Sequence, residues 1–159
     1  MKRKGVFDAA AGLLGLSSHL QFEAQAAIFL EQAATRHIDI HGWPQPMANG
    51  AITTEQGQLD LLPLLASLDA ATNVDQAAAR FHATLVAGLA DWVVQAAQAS
   101  GLTTLAWGGG CFLNALLSLG LRQNLEQRGL TVLAPVRASP GDASLALGQA
   151  WVALNSLEK

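Results

Sequence analysis

The sequence predicts an α/β domain in which helices pack on a small mixed, partly parallel sheet. Three features carry that prediction. After Gly101, short apolar runs at 103–107 and 130–134 alternate with helical patterns at 111–127 and 142–156, the order of a parallel strand pair and its crossover. Before Gly101, the segment 73–100 carries Ala77, Phe81, Leu85, Leu89, Trp92 and Ala96 as one continuous apolar stripe. Between the halves, Leu105-Ala-Trp-Gly-Gly-Gly-Cys-Phe-Leu-Asn114 joins the first strand to its helix through three glycines. Such a turn lies where a mostly parallel sheet opens its ligand crevice. Glycine there either lets a ligand approach the backbone or only tightens the connection.

Taken in order, Gly5 to Leu16 places Val6, Phe7, Ala10, Leu13 and Leu14 at helical spacing, and Gly15 with Ser17-Ser18 signals its end. Asp8 falls near its start, where a carboxylate meets the positive end of the helix dipole. A second helix is predicted over 22–36. Ile38-Asp-Ile-His41 alternates like an edge strand, and Ala51-Ile-Thr-Thr54 is read as its pairing partner across the proline-containing loop at 43–50. His37 and His41 then lie on a solvated strand face with no third metal ligand beside them.

Asp60 caps a short helix over 60–68 that tolerates Pro63 in its opening turn. Asn73 with Gln76 resembles a capping box for the long helix, and Gly101 closes it. His82 flanks the apolar stripe and reads as a packed or hydrogen-bonded histidine. In the helix 111–127, Leu113, Leu117 and Leu121 line one side, and Gly120 has no rationale in the sequence pattern. Cys111 reads as a small buried residue at the apolar start of that helix. The loop 135–142 follows the second strand, so it shares one sheet edge with the glycine turn. Its Asp142 is either the acidic start of the last helix or a carboxylate facing the crevice.

Composition narrows the function classes. The 159 residues are 51% apolar and 13% charged, with 9 Lys and Arg against 12 Asp and Glu. Apart from Lys2-Arg3-Lys4 there is no basic cluster, which argues against nucleic-acid binding. A single cysteine excludes an intramolecular disulfide and a cysteine-rich zinc site. No apolar run reaches the length of a membrane span and no signal-peptide pattern is visible, so a cytoplasmic protein is expected. Residues 1–159 are read as one domain.

Several separated segments then point the same way: Gly5-Val-Phe-Asp-Ala-Ala-Ala-Gly-Leu-Leu-Gly-Leu16, Phe22-Glu-Ala-Gln-Ala-Ala27, Ala79-Arg-Phe-His82, Gly108-Gly-Gly-Cys-Phe-Leu-Asn114 and Pro140-Gly-Asp-Ala-Ser-Leu-Ala-Leu-Gly-Gln-Ala150. In this order they resemble the C-terminal lobe of the carbamoyltransferase family that matures nickel–iron hydrogenases, a branch of the acetate kinase, sugar kinase, Hsp70 and actin superfamily. The resemblance implies the second lobe of an actin-like ATPase domain. It further implies ATP or carbamoyl-adenylate with a divalent metal, and transfer of the carbamoyl group to a cysteine thiolate of a hydrogenase maturation partner.

Carried over by position, Asp8 would approach the ribose hydroxyls and Glu23 the adenosine side. Gly109 and Gly110 would bring backbone to the nucleotide, Asn114 would be a polar neighbour, and Asp142 would be the metal-binding carboxylate. The helix at 111–127 would aim its positive end at the phosphoryl region. Departures accompany the match. Ala24 stands where glycine is usual, Ala143 and Ser144 replace two glycines, and Cys111 with Leu113 replace a valine and a glutamine. The family's metal-binding histidines come from the other lobe in an His-x-x-x-His arrangement, and the secondary structure read here places no such pair on a helix.

Two functions follow. One is a nucleotide half-site that is catalytically incomplete alone and needs a separate chain for the first lobe. The other is a non-catalytic interaction module, a homodimer that covers the vacated crevice.

Overall fold

The computed structural model describes residues 5–16, 21–22 and 24–157. Its elements run α1 (Val6–Leu13), α2 (Gln25–His41), β1 (Ile52–Thr53), β2 (Leu59–Asp60), α3 (Leu62–Ala66), α4 (Val74–Ser100), β3 (Thr104–Ala106), α5 (Ala115–Gln127), β4 (Thr131–Leu133) and α6 (Leu145–Leu157). Short 3₁₀ turns at Gly110–Leu113 and Asp142–Ser144 precede α5 and α6. The α/β class holds, with the strands divided between two separate two-stranded ladders. β1 and β2 pair antiparallel, and β3 and β4 pair parallel with Leu105 opposite Val132.

α4 is the axis of the molecule. Asn73 Oδ1 accepts the Gln76 N–H at 3.0 Å and starts the helix, and Gly101, at φ 68°, ends it in the left-handed conformation that glycine adopts at no steric cost. One length of α4 buries Ala78, Ala79, Phe81, His82 and Leu85 in a core shared with Phe7, Ala10 and Ala11 of α1, Leu30, Ala33 and Ala34 of α2, and Leu64 of α3. Alanine on the facing positions lets α2 and α4 approach closely, and an exposed Arg36–Asp75 ion pair bridges the two helices. Further along, Ala90 joins Leu121 and Leu125 of α5 and Val132 of β4 in a second core beneath the parallel ladder.

Close approach explains two glycines. A Cβ on Gly88 would lie 2.5 Å from Ala51 Cβ, so β1 can rest on α4 only where the helix has no side chain. A Cβ on Gly120 would sit 3.1 Å from Val86 Cγ2 and 3.4 Å from Trp43 Cη2, which supplies the reason the sequence pattern lacked.

Three expectations are corrected. Ile38 to His41 are the last turn of α2, not a strand, and β1 pairs with Leu59–Asp60. The period-2 alternation misled because Ile40 is 75% exposed and contributes nothing to the core. α5 starts at Ala115, behind a 3₁₀ turn, which leaves Leu113 exposed instead of on the buried side with Leu117 and Leu121. Cys111, in that turn, is exposed and not buried.

α6 stands apart: Leu145, Leu147, Trp151, Val152 and Leu154 are each at least 60% exposed. Among the described residues no helix is long and apolar enough to cross a membrane.

Candidate functional site

The site is built at the carboxyl ends of β3 and β4. β3 runs into Gly108, Gly109 and Gly110, and the Trp107 and Phe112 rings on either side of the glycines stack with centroids 4.8 Å apart and planes 6° from parallel. The aromatic pair pins both ends of the turn to the second core. Gly109 has φ 111° and ψ 156°, a conformation nearly closed to residues with a Cβ. Its N–H donates to the Pro140 carbonyl at 2.6 Å, and a Cβ on Gly141 would lie 3.5 Å from Gly110 Cα. The loop after β4 therefore packs on the turn after β3, as parallel pairing requires.

The turn separates two clefts. The first, about 360 Å³, lies between α1, α2 and the turn, and brings together Asp8, Glu31, Asn114 and the backbone of Gly110 with apolar Phe7, Ala24, Ile28 and Leu113. The second, an open cleft of about 770 Å³ between the 139–144 loop and α6, is lined by Gly109, Ser139, Gly141, Asp142, Gln149 and Val152 among others. Of the sequence-predicted residues, Asp8, Gly110 and Asn114 thus share one cleft and Gly109 with Asp142 share its neighbour. Glu23 lies outside the described residues.

Hydrogen bonding assigns each polar group. Asp8 Oδ2 accepts the Gly5 N–H at 3.2 Å, closing the first turn of α1 from below, and leaves the second carboxylate oxygen outside that bond. Asn114 caps α5, its Oδ1 accepting the Leu117 N–H at 2.8 Å. Its Nδ2 faces His82 Nε2 at 3.2 Å, and His82 Nδ1 lies 2.8 Å from the Ala78 carbonyl. A carbonyl can only accept, so His82 carries its proton on Nδ1 and accepts from Asn114 on Nε2. His82 is fully buried between Phe7 and Phe81. Burial lowers its pKa to about 4, opposed by the Ala78 hydrogen bond. It is the hydrogen-bonded core histidine that its place beside the stripe suggests.

Two features of the site were not legible. Glu31, one turn beyond Ala27 on α2, reaches across so that its Oε1 accepts the Ala115 N–H at 2.6 Å. Together, Glu31 and Asn114 occupy two first-turn amides of α5, so protein oxygens compete for part of the helix end that the expectation offered to a phosphoryl group. The second feature is the His82–Asn114 bond, whose partners lie 32 residues apart. Neither leaves a signal in local pattern.

The metal question divides similarly. His37 and His41 sit one turn apart on α2 with ring centroids 4.8 Å apart, so a helical His-x-x-x-His pair does exist in this lobe, contrary to the strand reading. Among the described residues, no three His, Cys, Asp or Glu side chains converge to hold a metal ion, around this pair or around Asp142. The donor set present does not by itself fit a catalytic metal.

Residues 5–149 match the family described as the second subdomain of the carbamoyltransferase Kae1-like domain. The chain belongs to this family. Within it, the chain is 43% identical over 170 residues to carbamoyltransferase HypF2 of Cupriavidus necator, covering 93% of this chain and 21% of that protein. It is 46% identical over 153 residues to a HypF homolog of the same organism, covering 92% of this chain and 39% of the relative. The chain therefore spans between about a fifth and two fifths of the length of these relatives. Among solved structures, full-length HypF in a phosphate- and nucleotide-bound form superposes with a TM-score of 0.78 at 24% identity, over 96% of this chain and 20% of that one. HypF of T. kodakarensis superposes with a TM-score of 0.67 at 20% identity, over 94% and 20%. These two likenesses establish the fold, that of the family's Kae1-like lobe.

Proposed function

We propose that this chain is the nucleotide-side half of a carbamoyl-adenylate site, inactive in carbamoyl transfer until a first lobe completes it. One observation carries the reading: Asp8, Gly110 and Asn114, distant in sequence, converge on one cleft of about 360 Å³. Its chemistry suits a nucleoside better than a phosphate chain. Ile28, Leu113 and Ala24 offer apolar walls for a base, Asp8 offers a carboxylate oxygen for ribose hydroxyls, and Gly110 offers backbone with open space beside it. The charged groups that line the cleft, Asp8 and Glu31, are both acidic and repel phosphate.

The phosphoryl part then extends past the glycine turn toward Gly109, Ser139 and Asp142. Asp142 would contribute one hard oxygen to a divalent ion whose other ligands come from the missing lobe. In the complete enzyme the bound adenylate supplies the activated carbamoyl group, and this lobe's part is to grip the nucleoside. Hydrogenase maturation, a cytoplasmic location and the cysteine-bearing acceptor belong to the same proposal.

Adenosine and AMP titrations into the purified chain test the reading. Both should bind with similar affinity, because this cleft holds the nucleoside and not the phosphate, and Asp8→Ala should weaken both about tenfold, the loss of a hydrogen bond to a charged group. Binding of AMP with none of adenosine would overturn the assignment of the cleft.

A second reading has its own observation. The exposed apolar face of α6 needs a cover, and a second copy of the chain is the simplest one. Light scattering that finds a dimer, and a monomer for Trp151→Glu, supports it; a wild-type monomer at high concentration rejects it.

A further inference from the structure

We propose that His82, which touches no face of the cleft itself, is a positioning residue that holds the nucleoside cleft in shape through Asn114. The inference rests on the reading of that cleft as a nucleoside site and adds a residue to it. Its basis is a run of hydrogen bonds with one allowed direction. The Leu117 N–H donates to Asn114 Oδ1 at 2.8 Å, Asn114 Nδ2 donates to His82 Nε2 at 3.2 Å, and His82 Nδ1 donates to the Ala78 carbonyl at 2.8 Å. Both ends are backbone groups of fixed polarity, so no member can reverse without losing a partner.

The run ties α4 to the start of α5, at the opposite end from the Arg128–Asp91 ion pair that joins the end of α5 to α4. Ala78 belongs to α4, the rigid axis, and Asn114 is the joint between the 3₁₀ turn Gly110–Leu113 and α5. Fixing the Asn114 amide fixes the rotation of that joint, and with it Gly110, Cys111 and Leu113 on the cleft wall. Asn114 is 8% exposed and His82 is inaccessible to solvent, so water cannot substitute for the bond. A cap alone requires only Asn114; the histidine is needed to hold the amide in the orientation that caps.

The charges around His82 leave it neutral. The charged side chains on the elements packed around it include Asp8 on α1, Glu31 and Arg36 on α2, Asp75 and Arg80 on α4 and Arg122 on α5; burial lowers its pKa, opposed by the Ala78 carbonyl. Neutral His82 accepts from Asn114; a protonated His82 would confront the Asn114 N–H with another donor.

The test uses the full chain with His82→Phe, His82→Gln and Asn114→Asp, and adenosine as the probe because its charge is constant between about pH 5 and 8. His82→Phe retains a ring between Phe7 and Phe81 but cannot accept, and should weaken adenosine about tenfold, the fold-change of one lost buried hydrogen bond. His82→Gln, whose Oε1 can accept, should recover most of it. Asn114→Asp inverts the bond, since a carboxylate must receive a proton from His82 Nε2. Its adenosine affinity should therefore rise as pH falls from 8 to 5.5, whereas the wild type stays level.

Amide hydrogen exchange without ligand gives an independent reading. In His82→Phe, the Leu117 and Asn114 amides, which donate to Asn114 Oδ1 and the Cys111 carbonyl, should exchange about tenfold faster while the Gln76 amide at the far cap is unchanged. Equal adenosine affinity in His82→Phe and wild type, or level pH profiles in both wild type and Asn114→Asp, would overturn the proposal. If wild type fails to bind adenosine, the nucleoside reading falls, and exchange decides the positioning claim alone: unaltered Leu117 and Asn114 exchange in His82→Phe would sink it.

Discussion

Ala24 shows how much a single backbone angle can say. It caps α2 at φ 66° and ψ −1°, the left-handed region where a Cβ crowds the backbone. It is also the position at which the related sequences were expected to carry glycine. Ala24→Gly should relieve that crowding and stabilise the fold by about 0.5–1 kcal/mol, read as a higher urea midpoint. A lower midpoint would show that the strain is absent. His82 makes a prediction with a sign. Its pKa is about 4 in the folded chain against the ordinary 6.5 of an exposed imidazole, so the unfolded chain binds the extra proton first. The stability it contributes is complete above pH 6.5 and is lost as pH falls through the interval down to about 4. By pH 5 the loss should be about 2 kcal/mol, and His82→Phe should remove that part of the slope. Urea melts at pH 7 and pH 5 on both proteins measure it. Neither residue announced itself fully: the place of His82 beside the α4 stripe predicted a packed histidine, but its partner is 32 residues away, and nothing in the local pattern at Ala24 marks a left-handed backbone.

At the scale of elements, legibility followed the origin of each signal. α4 was readable from cap to cap because Asn73, the apolar stripe and Gly101 are local features of one segment. β3, β4 and the turn between strand and helix were readable for the same reason. The last turn of α2 was not. Ile38 and Ile40 alternate in type, yet the helix continues because its backbone bonds propagate from the buried Ala33 and Ala34 turn, and Ile40 merely faces outward. Gly88 was equally silent, since its reason is an element 37 residues away. Gly88→Ala should cost about 1–3 kcal/mol, although alanine is the better helix former, because its methyl would meet Ala51 Cβ at 2.5 Å. Gly120→Ala should cost less, as Val86 and Trp43 need yield only a few tenths of an ångström. Thermal melts that rank the two in the opposite order would contradict this account of how α4 packs.

Across the whole molecule, the apolar surface is divided unevenly. α1 to α5 bury their faces in two cores along α4, while α6 leaves Trp151 69% exposed and Val152 64% exposed beside the cleft that contains Asp142. A face of that kind beside an open cleft is what the proposed half-site would present to a completing lobe. The resemblance read from five short segments anticipated this family. It could not anticipate that Glu31 and Asn114 take two amides at the positive end of α5, because a resemblance transfers roles and not the hydrogen bonds that compete with them. In the proposed function, that competition leaves nucleoside recognition as the part assigned to this cleft. The most direct measurement is a calorimetric titration of the purified chain with adenosine, repeated on Asp8→Ala. The account predicts binding in the micromolar range that weakens about tenfold in the variant. No heat at millimolar adenosine, with the chain folded, would contradict it.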